Sequence, residues 1–192
     1  MDWYVVDKKY INYLTQFDFR VGYVEYGERL KLHVGILLTI GVFHYYVPIS
    51  SAKPKHQKMS NSLDFHKLQD ESTGYLYAVL NINNMIPVPD NCLTQLKYNQ
   101  VESFRSFSNE KEKTDYVYLL QKEKALIDNV QDTLQNKALK LYQKCIAKPD
   151  SSLAARCCNF KMLEEKMQFL FRYINKTMII QISPSAGEVF LS

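Results

Sequence analysis

From Tyr45 the chain runs through Tyr46-Val47-Pro48-Ile49 into two serines, Ser50 and Ser51, and then into Lys53, Lys55, His56 and Lys58 around Pro54. An apolar, strand-like run thus ends in a hydroxyl pair, with a lysine two residues further on. Serine hydroxyls donate and accept, and lysine ammonium groups only donate, so this set suits holding a phosphate and stabilising negative charge that grows on it. The same residues also make an ordinary strand end and a solvated loop, and spacing alone favours that plainer use. His56 is the side chain whose titration falls nearest neutrality. An exposed histidine in a basic loop is nonetheless usually incidental.

The rest of the sequence narrows the chemistry. It holds no glycine-rich phosphate loop and no nucleophile elbow. The four cysteines (Cys92, Cys145, Cys157, Cys158) lack C-x-x-C spacing, and the four histidines (His33, His44, His56, His66) lack a metal-binding pattern. No cofactor or metal is expected. Hydroxyls, lysines and aromatics remain, and these suffice for cleaving RNA without a metal. There the ribose 2′-hydroxyl is the nucleophile, and the protein aligns it, moves protons and stabilises the phosphorane. Lys55, His56 and Lys58 would then follow the RNA backbone, and the amides of Asn83 and Asn84 would read bases. Asparagine pairs are also ordinary turn formers.

Composition permits this reading without requiring it. The net charge of +4 allows a polyanionic partner only if the positive groups share a face. Fourteen tyrosines and ten phenylalanines serve either core packing or base stacking. A 192-residue chain that is 46% hydrophobic can bury one real core. The start, Met1-Asp2-Trp3-Tyr4, has no secretory pattern, so a cytoplasmic protein with reduced thiols is expected. Val34 to Ile49 resembles a short membrane span, but Gly41 and His44 interrupt it, and two strands joined at Gly41 fit better.

The positioning elements follow from periodicity. Trp3–Val6 predicts a strand, Asp7 a helix cap, and Tyr10, Ile11, Leu14 and Phe17 one apolar helix face. Asp18–Lys31 predicts a surface loop. His33–Ile40 and Phe43–Ile49 predict a central hairpin, Leu63–Phe65 a short strand, Tyr75–Ile82 another, and Leu93–Tyr98 a last one. The prolines of Met85–Pro89 predict irregular chain. From about Asn109, Tyr116, Leu120, Ile127, Val130, Leu134, Leu141 and Cys145 mark one long helix or two, ended by Pro149. A further helix follows around Phe160–Tyr173. The order predicts an α+β fold, a compact antiparallel sheet or partly open barrel flanked by helices.

Four ordered segments carry a family resemblance: Trp3-Tyr4-Val5-Val6 with Lys9–Leu14, His33-Val34-Gly35-Ile36, Tyr46–Lys53, and Asn83-Asn84-Met85-Ile86-Pro87-Val88-Pro89. Together they resemble the ToxN/AbiQ family, the protein toxins of type III toxin–antitoxin systems, from the first strand to about Tyr173. The resemblance implies a fold related to the MazF/Kid toxins, a twisted, SH3-like antiparallel sheet with added helices and a long helical C-terminal region. It implies one endoribonuclease domain over residues 1–175, sheet-rich to about 100 and helical over about 109–174. Residues 176–192 form a tail without a match. It further implies metal-independent cleavage to 2′,3′-cyclic phosphate and 5′-hydroxyl ends, and a role in abortive phage infection. The implied partner is a repeat-derived pseudoknot RNA antitoxin, cut by the toxin and bound in a closed protein–RNA assembly.

Carried over by position, the family's hydroxyl pair and lysine fall on Ser50, Ser51 and Lys53. Its loop tyrosine and lysine fall on Tyr26 and Lys31, in a loop one residue shorter here, where Arg29 competes for the lysine's place. Ser51 would position the scissile phosphate with Ser50 in support, and Lys53 would stabilise the phosphorane. Tyr26 would orient the nucleotide or help move a proton. Two other readings stand beside this one: a non-catalytic RNA-binding module, and a CcdB-like toxin that acts on a protein target.

Overall fold

Asp7 separates the first strand, β1 (Asp2–Val6), from the first helix, α1 (Lys8–Thr15), as its side chain predicts. Its carboxylate accepts the Tyr10 amide at 3.0 Å, a cap contributing about 1 kcal/mol. The computed structural model describes the backbone of residues 1–22, 25–26 and 29–182, and the side chains of 1–22 and 31–172. Tyr10, Ile11 and Leu14 are buried, whereas Phe17, placed on the same stripe by its spacing, lies past the helix end and is 37% exposed.

The expected surface loop after α1 contains structure of its own. A 3-10 turn spans Phe19–Val21, and a two-stranded hairpin, β2 (Glu25–Tyr26) with β3 (Arg29–Leu30), pairs Tyr26 with Arg29. Asp18 is buried and accepts from the Arg20 and Asn159 amides, which fastens the loop's start to the C-terminal helices.

The central hairpin is β4 (Leu32–Ile40) and β5 (Phe43–Ser51). Gly41 turns it at φ +57°, a left-handed conformation that glycine adopts without steric cost. The two strands account for the membrane-like stretch, and no helix among the described residues is long and apolar enough to cross a membrane. The sheet runs β6 (His66–Gln69), β7 (Leu76–Leu80), β5, β4, β1, β9 (Leu93–Gln95), all antiparallel, with β8 (Ile86–Pro87) paired to β5 as well. Its edges are open; it does not close into a barrel.

Two local expectations fail. Leu63–Phe65 is no strand: the strand begins at His66, and Phe65 packs with Leu76 and Val79 in a small second cluster. Ile86–Pro87 does pair, opposite Tyr46 and Tyr45. Pro87 needs no amide for its other bond, which its carbonyl accepts from the Tyr10 hydroxyl at 2.7 Å.

β5 changes partner along its length. Tyr45 and Tyr46 face β8, while Ile49, Ser50 and Ser51 pair with Leu80, Val79 and Ala78 of β7. On its other side the register with β4 reaches His33 opposite Pro48. Gly35 lies under the Tyr46 ring, where an added Cβ would sit 2.0 Å from Tyr46 Cδ1. That close approach explains a glycine in the middle of a buried strand.

The helical region divides at Val130 into α3 (Glu110–Asn129) and α4 (Gln131–Ala147). The short α2 (Pro54–Gln57) precedes them, and α5 (Ser152–Ala155) and α6 (Phe160–Ile182) follow. Helix α3 lies against β6 and β7, α4 against β4, and α6 against β8. Between them Glu164 is buried and fully engaged. Oε1 accepts from the Tyr45 and Tyr142 hydroxyls at 2.8 and 2.7 Å, and Oε2 accepts from Lys161 at 2.9 Å.

Candidate active site

The two serines occupy the last residues of β5, where β7 still holds the strand on one side. There the chain leaves the sheet and folds into α2. His56 shapes this exit. Its amide donates to the Lys53 carbonyl at 2.8 Å, and its Nδ1 accepts from the Lys53 amide at 3.1 Å. The backbone of Lys53 is thus held from both sides by one residue.

Lys31, at the junction of β3 and β4, reaches across to the same strand end. Its ammonium donates to Ser50 Oγ at 2.7 Å, and the Asn81 amide donates to the same oxygen at 3.1 Å. Burial, aided by the like charge of Lys53, lowers the Lys31 pKa to about 8. Lys31, Ser50, Ser51 and Lys53 line one cavity of about 320 Å³, within the lower range of small-ligand sites.

Its opposite wall comes from residues far along the chain: Phe104, Arg105, Tyr116, Leu120 and Glu123. The Arg105 guanidinium lies over the Tyr116 ring at 4.7 Å and the Phe107 ring at 5.0 Å, and it pairs with Glu112. A stacked and ion-paired arginine is held in one orientation, which suits recognition of phosphates and base planes. Glu123 is only 5% exposed, and burial raises its pKa to about 7.

The structure therefore gathers Lys31, Ser50, Ser51 and Lys53 from the sequence-derived set. Lys55 and Lys58 are exposed on the neighbouring turn. Tyr26 and Arg29 face each other across the β2–β3 hairpin, and their side chains lie outside the described residues. Three positions need correction. His56 is not an exposed cation: it is 6% exposed, packed on Phe65, and its pKa is lowered by burial and then by Lys55 and Lys53. Asn83 and Asn84 each donate a side-chain N–H to a carbonyl, of Arg156 and Arg20, at 2.8 and 2.7 Å, so both amides brace the fold, a task the sequence did not suggest.

Four site residues escaped the sequence reading. Asn81 and Arg105 carry no local signal. Tyr116 was assigned to the core stripe of its helix. Glu123 did leave a trace, since it stands three residues after Leu120 and four before Ile127, which puts a carboxylate on the apolar face.

A family model described as the toxin ToxN of type III toxin–antitoxin systems matches residues 2–168, and the chain belongs to that family. Its relatives include the endoribonuclease AbiQ of Lactococcus lactis subsp. lactis, 27% identical over 172 residues that cover 85% of each chain. The endoribonuclease ToxN of Bacillus thuringiensis subsp. kurstaki is 27% identical over 172 residues, 86% of this chain and 81% of that one. The endoribonuclease ToxN of Pectobacterium atrosepticum is 26% identical over 183 residues, 86% of this chain and 91% of that one.

Solved structures agree. That of AbiQ, a lactococcal anti-phage endoribonuclease, superposes with a TM-score of 0.74 at 25% identity, covering 89% of this chain and 98% of that one. A structure from a type III system in which a non-coding RNA pseudoknot selectively inhibits the toxin gives 0.74 at 27% identity, covering 88% and 96%.

Proposed function

We propose that this toxin is an endoribonuclease that needs no metal ion and cleaves by attack of the ribose 2′-hydroxyl on its own 3′-phosphate, leaving a 2′,3′-cyclic phosphate and a 5′-hydroxyl. The observation that carries the reading is the Lys31–Ser50 bond of 2.7 Å. It draws a second lysine onto the strand end where Ser51 and Lys53 already stand, so hydroxyls and cations converge on one cavity able to take a phosphate.

On this reading the residues take the following roles. Ser50 accepts from two donors, Lys31 and Asn81, so its own proton is directed outward to support Ser51 in holding the scissile phosphate. Lys53 stabilises the phosphorane oxygens, its backbone fixed by His56. Tyr26 retains the task of orienting the nucleotide. Lys55 and Lys58 follow the RNA backbone, a contribution that weakens as salt rises.

By likeness to the pseudoknot-inhibited relative, the partner is a pseudoknot antitoxin RNA, processed by the toxin and held across the same cavity in a closed assembly. Action in the cytoplasm, on cellular or phage RNA, completes the reading.

The test is to incubate the pure chain with a randomised A-rich RNA pool in chelator and to examine the new ends. Cyclic phosphate termini, reduced at least about 100-fold in yield by Ser51→Ala, are expected. RNA that stays intact but bound would favour a non-catalytic binding module, and a strict need for divalent metal would overturn the mechanism.

A further inference from the structure

We propose that Glu123 is the general base of this reaction, taking the proton of the attacking 2′-hydroxyl, while Lys31 gives a proton to the departing 5′-oxygen. The inference rests on the endoribonuclease reading above and assigns the two proton transfers that reading leaves open.

The argument begins with where Glu123 lies. Helix α3 turns Leu120, Glu123 and Ile127 inward, all three buried. Leucine or isoleucine at the middle position would extend the apolar face at no electrostatic cost. A carboxylate there loses its hydration and needs a partner to offset the loss. Among the described residues, none hydrogen-bonds to it or pairs with it. What it faces instead is the cavity, which it lines together with Lys31, Ser50, Ser51 and Lys53. A buried, unpartnered acid opening onto a phosphate-sized space has a ligand as its natural partner.

The chemistry of the two groups is complementary. Burial alone lifts Glu123 to about 7, so near neutrality it is available as an ionised base. Lys31, lowered to about 8, is still mostly protonated there and is a readier acid than an ordinary lysine. A base and an acid that both titrate near the operating pH are each suited to proton transfer there. Of the other charged groups on elements packed against α3, Lys53 and Arg105 share the cavity and Glu102 pairs with Lys113 at 3.2 Å. His66 and Lys67 of β6 line a separate groove.

The step balances. The O2′–H bond breaks, its proton passes to the Glu123 carboxylate, and O2′ bonds to phosphorus. The P–O5′ bond breaks, and its electron pair takes the Lys31 proton. The products are the cyclic phosphate and the 5′-hydroxyl, with no water consumed. Glu123 and Lys31 recover their starting states by exchanging one proton through solvent.

The experiment measures single-turnover cleavage of the A-rich RNA pool by the full chain from pH 5 to 9, for wild type and Glu123→Gln. Binding of the matching all-deoxy pool, which lacks the nucleophile, and melting at pH 8 are followed in parallel. Wild type should climb to a plateau near pH 7 to 8 and fall above it. Glu123→Gln should be slowed about 100-fold or more and lose the acidic limb. Its binding should stay within about twofold, and it should melt no lower than wild type, because it sheds a buried charge. A Glu123→Gln protein that keeps the rate or the acidic limb overturns the proposal. So does one that loses rate together with deoxy-RNA binding or thermal stability, which would make the residue structural. Wild type that leaves the RNA intact would instead overturn the endoribonuclease reading itself.

Discussion

Among the described residues two glutamates are buried on helices, and they are treated in opposite ways. Glu164 on α6 accepts from two tyrosine hydroxyls and a lysine, so every oxygen is paired and the network ties β5 to α4 and α6. Glu123 on α3 is nearly as deeply buried, 5% against 3% exposed, yet no described residue bonds to it. The first carboxylate has its electrostatic needs met by the protein and stabilises the fold. The second has them met by nothing the described chain supplies, and its cost is carried by the packing around it. Burial alone therefore does not tell a structural acid from a reactive one; the count of partners does.

Breaking the satisfied network should have the largest effect. Glu164→Ala strands two buried hydroxyls and opens a cavity, and should cost about 4 kcal/mol by urea denaturation. A loss below about 1 kcal/mol would mean that the network contributes little and that the contrast is empty.

Next comes Glu123→Leu, with the opposite sign. Because burial raises this acid's pKa from 4.5 to about 7, the folded state holds its proton more tightly than the unfolded chain. Its stabilising contribution is complete below pH 4.5 and is lost as pH rises through 7. Relative to Glu123→Leu, wild type should therefore be about 3 kcal/mol less stable at pH 8 than it is at pH 4.5. A stability difference that does not change with pH would show that the carboxylate has a partner after all.

Tyr142→Phe removes one of the three donors to Glu164 and should cost about 1 kcal/mol. It should leave RNA cleavage unchanged, because the α6 cluster stands apart from the cavity. The smallest effect is expected from Lys58→Ala. Melting should not move, while RNA binding should lose roughly one counterion from its salt dependence. An unaltered salt slope would remove Lys58 from the proposed path of the RNA.

The sequence carried the parts of this molecule that depend on neighbours along the chain. Asp7 announced α1, Gly41 announced the central hairpin, and the apolar spacing from Tyr116 to Cys145 announced the long helical run. Ser50, Ser51 and Lys53 were legible because four residues of one strand end bring them together. The opposite wall was not, since Arg105 and Glu123 acquire meaning only when α3 settles beside β6 and β7. His56 misled for a related reason: in the sequence it stands among solvated lysines, but the α2 turn rotates it inward against Phe65. The asparagines misled because the carbonyls they serve, on Arg20 and Arg156, are more than sixty residues away.

The division of the cavity between a strand end at residues 50–53 and a helix at 116–123 also sets an order of events during synthesis. A nascent chain that has reached only Asn109 already contains both serines and all the lysines of the site, on a strand end open to water. The wall that encloses them and the buried acid have not yet been made. Until α3 has formed and docked, the proposed base is absent from the cavity, so cleavage by the proposed route could begin only after the chain has passed residue 123.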